Sequence, residues 1–182
     1  MSTPAEIYDE LKGFLDFGEA DAARLKALGP IFAQHGGSIT DDFYVVLGKN
    51  PETAKLIEGR VDALKATHGR WMGELFAGDY GEGYFNGRMR IGMVHVKVGL
   101  SPYYVEATMT HIRNAAERII HQNVADRAEA TAGFTSLLKL LDLDLMVINL
   151  AYQEERLDLL TKVTGMKRGL LENLIRQGQK KK

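Results

Sequence analysis

The chain has 182 residues, of which 45% are hydrophobic and 26% charged, enough for one domain with a sizeable core and short of the length usual for two. Formal net charge is -1, and the basic residues are dispersed apart from Lys180, Lys181 and Lys182, so the concentrated positive field of a nucleic-acid-binding surface is excluded. There is no cysteine, which rules out disulfides and thiolate ligands and makes a reducing compartment, the cytoplasm, the expected location.

Prolines at positions 4, 30, 51 and 102 punctuate stretches that otherwise keep a helical period; no alternating run points to a sheet, so the fold class is all-α. Ala5 to Phe17 reads as a short amphipathic leader helix ending before Gly18, and its Glu6, Asp9 and Glu10 are unlike a secretory signal. A second helix is expected from about Ala20 to Gln34, bent or broken near Gly29-Pro30 and ended by His35-Gly36-Gly37. Thr40, Asp41 or Asp42 would then cap a helix carrying Tyr44, and Asn50-Pro51-Glu52 would start another short one. Leu64, His68 and Trp71 follow spacings of four and three, so they share a helical face that can line a pocket, with Thr67 at its edge. Gly78, Gly81, Gly83 and Gly87 suggest a loop-rich passage, and Gly92 and Gly99 would let the backbone beside His95 approach a flat ligand. Pro102 opens a long helix to about Gln122.

The last long helix is expected from about Ala128 to at least Leu160 and is apolar almost all round between Leu137 and Leu150. Lys139, Asp142, Asp144 and Asn149 interrupt that stretch, which falls short of the roughly 20 apolar residues of a membrane span. Burial of each Leu, Ile, Val or Met contributes roughly 1.5 to 3 kcal/mol, and a surface helix needs only one apolar stripe. Two arrangements cover the other side: a homodimer through the last two helices, which we take as the expectation, or a fully internal helix.

The most informative segment runs from Arg88 to Tyr104, where His95 lies in an apolar run closed by Pro102. A lone histidine there is either a satisfied core residue or a neutral imidazole suited to iron. The wording Arg88-x-Arg-Ile-Gly-x-x-His95-Val-x-Val-Gly-Leu100 resembles the proximal-histidine region of the globin-coupled sensors, bacterial globins that report gas or redox state to a signalling output. Asp42-Phe43-Tyr44 resembles the second-helix site of the family's distal tyrosine. Leu64-Lys-Ala-Thr67-His68-Gly-Arg-Trp71, followed by Leu75-Phe76-x-Gly78-x-Tyr80, is similar to its distal helix and exit, and Asp144 to Tyr152 to its final globin helix.

The resemblance implies a globin fold with an extra N-terminal helix and a long C-terminal helix, dimerising through the last two helices. Its expected divisions are a leader (1–17), a sensor globin domain (18–160) and a linker (161–182) towards an output domain that the chain lacks. It implies haem b, held by His95 as proximal ligand, with Tyr44 donating to a bound gas and Leu64 and Thr67 gating or polarising it. Phe43, Trp71, Val98 and Tyr104 complete the expected cofactor-binding set. His68, one turn beyond Leu64, is a candidate sixth ligand from the distal side, or else a residue on the helix edge. The alternative for Tyr44, read without the family, is a core aromatic with its hydroxyl at the surface.

The phosphate-binding loop, nucleophile elbow and His-Glu-x-x-His zinc motif are absent. Glu154-Glu155-Arg156 and Asp142-x-Asp144 read as surface charge and interhelical pairing, so the expectation is a sensor without catalytic apparatus of its own. It would partner oxygen or another diatomic gas, a second copy and an output domain in cis or in trans, but neither nucleic acid nor membrane. The rival readings are a haem-free globin-fold signalling module and a stand-alone haem redox protein.

Overall fold

The computed structural model describes residues 3–179, which form eight α-helices and no strand. They are α1 (Pro4–Phe14), α2 (Glu19–Lys49), α3 (Pro51–Ile57), α4 (Val61–Glu74), α5 (Glu82–Lys97), α6 (Pro102–Asn123), α7 (Arg127–Thr164) and α8 (Arg168–Gln179). Among the described residues no helix is long and apolar enough to cross a membrane. Lys180, Lys181 and Lys182 lie outside the described residues.

Local chemistry sets most of the boundaries. Thr3 and Glu6 cap α1 reciprocally, and Pro4 occupies its first turn, where a missing N–H costs nothing. The Asn50 side chain accepts from the Glu52 and Thr53 amides, so Asn50-Pro51 starts α3. Asp126 caps α7 through the Glu129 amide, and Gly165, at φ 69°, ends it in the left-handed conformation.

The break expected at His35-Gly36-Gly37 does not occur: α2 continues unbroken past Pro30 and both glycines to Lys49. Gly36 is buried, and a Cβ there would lie 3.4 Å from Met72 Cγ. Close packing of α2 on α4 thus outweighs the roughly 1 kcal/mol that glycine costs inside a helix. Thr40, Asp41 and Asp42 are consequently interior helical residues rather than caps; Asp41 pairs with Lys65 of α4 at 2.7 Å. Gly83 and Gly87 likewise belong to α5 and not to a loop.

Helix α7 crosses α5 at the centre of the core. Gly92 stands at that crossing, where a Cβ would lie 2.5 Å from the Ile148 carbonyl oxygen and 2.6 Å from Ala151 Cβ. It therefore brings two backbones together rather than a backbone and a flat ligand. Gly99, at φ 74°, terminates the turn after α5, where the Leu100 amide donates to the His95 carbonyl.

The apolar girth of α7 is largely covered within one chain. Leu137, Leu140, Leu141, Leu143, Val147 and Ile148 are all buried, leaving Met146 exposed and Leu138, Leu145 and Leu150 half-buried. Much of what the dimer expectation drew on is thus internal packing, and the surface left for a second copy is narrower than the sequence suggests.

Asp144 also departs from its expected place at the surface. It is fully buried and accepts from Trp71 Nε1 (2.9 Å), the Tyr84 hydroxyl (2.6 Å) and Arg88 Nε (3.0 Å). Arg88, also fully buried, lies over the Tyr84 ring and pairs with Glu74 of α4 as well. Burial pushes the Asp144 carboxyl up, against the pull of Arg88 and of the Tyr84, Arg88 and Trp71 hydrogen bonds. These contacts tie α4, α5 and α7 together. The interhelical pairing expected of both aspartates is present, Asp142 pairing with Arg113 of α6 as Asp144 does with Arg88 of α5.

Candidate functional site

A cavity of about 390 Å³ opens between α2, α4, α5 and α6, with α3 and Ile148 of α7 contributing to its wall. Its size lies within the range of small-molecule and cofactor sites, about 300 to 1,000 Å³. All nine residues singled out in the sequence line it: Phe43 and Tyr44 from α2, Leu64, Thr67, His68 and Trp71 from α4, His95 and Val98 from the end of α5, and Tyr104 from α6.

The two histidines come from different helices. His95 is desolvated, which lowers its pKa to about 4, so the ring is neutral at physiological pH. Its Nδ1 is buried without a hydrogen-bond partner, and Tyr152 lies beside the ring with centroids 6.3 Å apart. Tyr152 is itself fixed by donating to the Leu100 carbonyl at 2.7 Å.

His68 is also neutral, with burial lowering its pKa to about 4. Its ring stacks on Phe43 at 4.5 Å and tilts against Trp71 at 5.1 Å. Nδ1 lies 2.9 Å from Thr40 Oγ1, whereas Nε2 is buried without a partner. Tyr44 meets the same ring edge-on at 6.1 Å, and burial raises its phenol to about 12, keeping the hydroxyl protonated as a donor.

Thr67 contributes less polarity than expected. Its hydroxyl donates to the Ala63 carbonyl at 3.1 Å and accepts from Arg70, so it is already engaged on its own helix. Trp71 has two roles, lining the cavity with its ring and donating to Asp144 with its indole N–H. Val98 and Tyr104 stand at the more exposed rim.

Sequence reasoning passed over several lining residues. Ile91 and Val94 precede His95 by four and one, and Val98 follows by three, so the α5 stripe was available from spacing once His95 was chosen. Val105, Thr108, Met109 and Ile112 continue the face of α6 next to Tyr104 in the same way. Arg60 and Arg90 add two cations to an otherwise apolar wall, and no periodicity could have announced them. Thr40 is one of three alternative cap candidates by sequence, and only the unbroken α2 reveals it as a partner of His68.

A mostly apolar cavity lined by neutral imidazoles from two helices suits a flat apolar cofactor whose metal accepts nitrogen ligands, with the two arginines available to anionic substituents. Among the described residues no group of three or more His, Asp or Glu side chains could hold a metal ion by itself.

The sequence model of the Protoglobin family matches residues 5–158. The globin domain of a Geobacter sulfurreducens globin-coupled sensor superposes with a TM-score of 0.76 at 33% identity, covering 79% of this chain and 96% of that one. The ferric globin domain of E. coli DosC gives a TM-score of 0.67 at 18% identity, covering 78% and 97%, a likeness of fold. The heme-based aerotactic transducer HemAT of Halobacterium salinarum is 29% identical over 143 residues, 72% of this chain but only 29% of the transducer's own length. On the extent of these matches, the chain belongs to the protoglobin family, among the globin domains of globin-coupled sensors.

Proposed function

We propose that this chain is a haem-b sensor domain that reads oxygen, another diatomic gas or redox state and relays it through its last helices. One observation carries the reading: His68 and His95, both neutral, line the same apolar cavity from two different helices, with His68 Nε2 and His95 Nδ1 buried and unpartnered. Leaving the His68 Nε2 orphaned costs roughly 1 to 3 kcal/mol, and an iron porphyrin would satisfy it. That the Halobacterium relative is a heme-based transducer supports the choice of cofactor.

Haem, when bound, would supply reversible coordination of a diatomic gas. His95 would anchor it from α5, while Arg60 and Arg90 would neutralise its carboxylates. Leu64 and Phe43 would exclude water from the distal space, and Tyr44 would donate a hydrogen bond to a gas held there. His68 would occupy that space in the absence of gas, so ligand entry would require the imidazole to withdraw and α4 to adjust.

The same reading makes 1–17 a leader, 18–160 the sensor unit and 161–182 a linker. The chain would have no catalytic role of its own, act in the cytoplasm, dimerise through α6 and α7, and signal to an output domain in cis or in trans. Visible spectra of the purified protein in ferric, ferrous and carbonyl-bound forms test the cofactor assignment. Haem-ligand bands that shift on reduction and on carbon monoxide are expected; a chain that takes up no haem on reconstitution would overturn it.

A further inference from the structure

We propose that Thr40 is a positioning residue for His68, its hydroxyl oxygen accepting from Nδ1–H and so fixing the tautomer whose Nε2 lone pair can reach haem iron. The proposal rests on the haem reading above and adds a residue that the sequence pattern offers only as one of three candidate helix caps.

The geometry is specific to one ring edge. Thr40 is buried (5% exposed) on α2, one turn before Tyr44, and its Oγ1 lies 2.9 Å from His68 Nδ1. Phe43 stacks on the ring face and Trp71 tilts against it, so sliding and rotation are restricted by packing while Thr40 holds the edge. Nε2, across the ring from Thr40, is buried without a partner.

A neutral imidazole carries one proton. If it sat on Nε2, that nitrogen could only donate, and iron ligation there would be impossible. With the proton on Nδ1, Thr40 Oγ1 is the acceptor within reach, and Nε2 presents the lone pair that a metal requires. Ligating histidines are oriented in this way by a partner on the other nitrogen, and loss of such a partner typically costs about 10- to 100-fold in metal affinity. Thr40 therefore tunes how firmly His68 competes with an incoming gas.

The test uses the full-length haem-loaded protein with Thr40→Val, which keeps the shape and removes the hydroxyl, and Thr40→Ser, which keeps the hydroxyl and removes the methyl. Ferrous spectra and carbon monoxide association rates are measured for all three proteins, with haem stoichiometry determined separately. The unmodified and serine proteins should be six-coordinate and low-spin. The valine protein should lose about 10-fold or more in the ratio of low-spin to high-spin iron and bind carbon monoxide correspondingly faster. In the diamagnetic low-spin ferrous state, histidine nitrogen NMR should place the His68 proton on Nδ1. A valine protein indistinguishable from the unmodified one, a serine protein that behaves like valine, or a proton on Nε2 would overturn the assignment. So would a five-coordinate unmodified protein with full haem content, whereas absence of haem altogether would identify the cofactor reading as the step that failed.

Discussion

Replacing Gly92 by alanine isolates the contact that sets α5, and with it His95, against α7. The new Cβ would lie 2.5 Å from the Ile148 carbonyl oxygen and 2.6 Å from Ala151 Cβ, whereas carbon atoms pack at about 3.5 to 4.0 Å. Relief therefore requires the helices to separate by about 1 Å. Alanine gains about 1 kcal/mol of helix propensity over glycine. Overpacking costs about 1 to 3 kcal/mol and occasionally more, and the upper end applies because one obstructing atom is backbone and cannot rotate away. A net loss of about 2 kcal/mol follows, equivalent to about 4 to 8 °C in Tm for a domain of this size. Gly83→Ala is the control: it lies in the first turn of the same helix with nothing within 4 Å of the added atom, so it should leave stability unchanged or raise it. Denaturant titration of both variants measures the difference. A Gly92→Ala protein as stable as the Gly83→Ala protein would refute the role assigned to the crossing.

Asp144→Ala should destabilise the fold by about 3 to 5 kcal/mol in denaturant titration, because it leaves the buried Arg88 guanidinium without its inner partner; a loss below about 1 kcal/mol would show that Glu74 alone suffices. In the haem-free protein, the histidine pKa values depressed from 6.5 to about 4 mean that the unfolded chain takes up protons first. The contribution is complete above about pH 6.5 and is lost as pH falls towards 4, by up to about 1.4 kcal/mol per pH unit for each histidine. Urea midpoints across that window should fall, and should fall less steeply in a His68→Gln, His95→Gln variant. For the dimer, sedimentation at micromolar concentration should show two copies, and Met146→Glu on the exposed part of α7 should shift the equilibrium to monomer; a monomeric unmodified chain would remove this part of the proposal.

Two helix starts were legible from local chemistry: Asn50-Pro51 and Pro102 announce α3 and α6 because caps and fixed proline dihedrals act within a few residues. The cavity residues were legible because His95, Tyr44 and the Leu64 to Trp71 face carry side-chain types in a recognisable order. What could not be read was decided by partners distant in sequence. Gly36 and Gly92 look like helix breakers or ligand approaches until Met72 and Ile148 are seen against them. Asp144 looks like surface charge until Trp71, Tyr84 and Arg88 converge on it from two other helices. The apolar girth of α7 likewise reflects its central position in one chain, which periodicity alone cannot distinguish from an intermolecular face.

The central claim is that His95 anchors haem in this cavity, and haem quantification of the purified His95→Ala protein beside the unmodified chain tests it most directly. The account predicts stoichiometric haem in the unmodified protein and none stably retained in the variant after gel filtration. His95→Ala holding stoichiometric haem with an unchanged ferrous spectrum would contradict it.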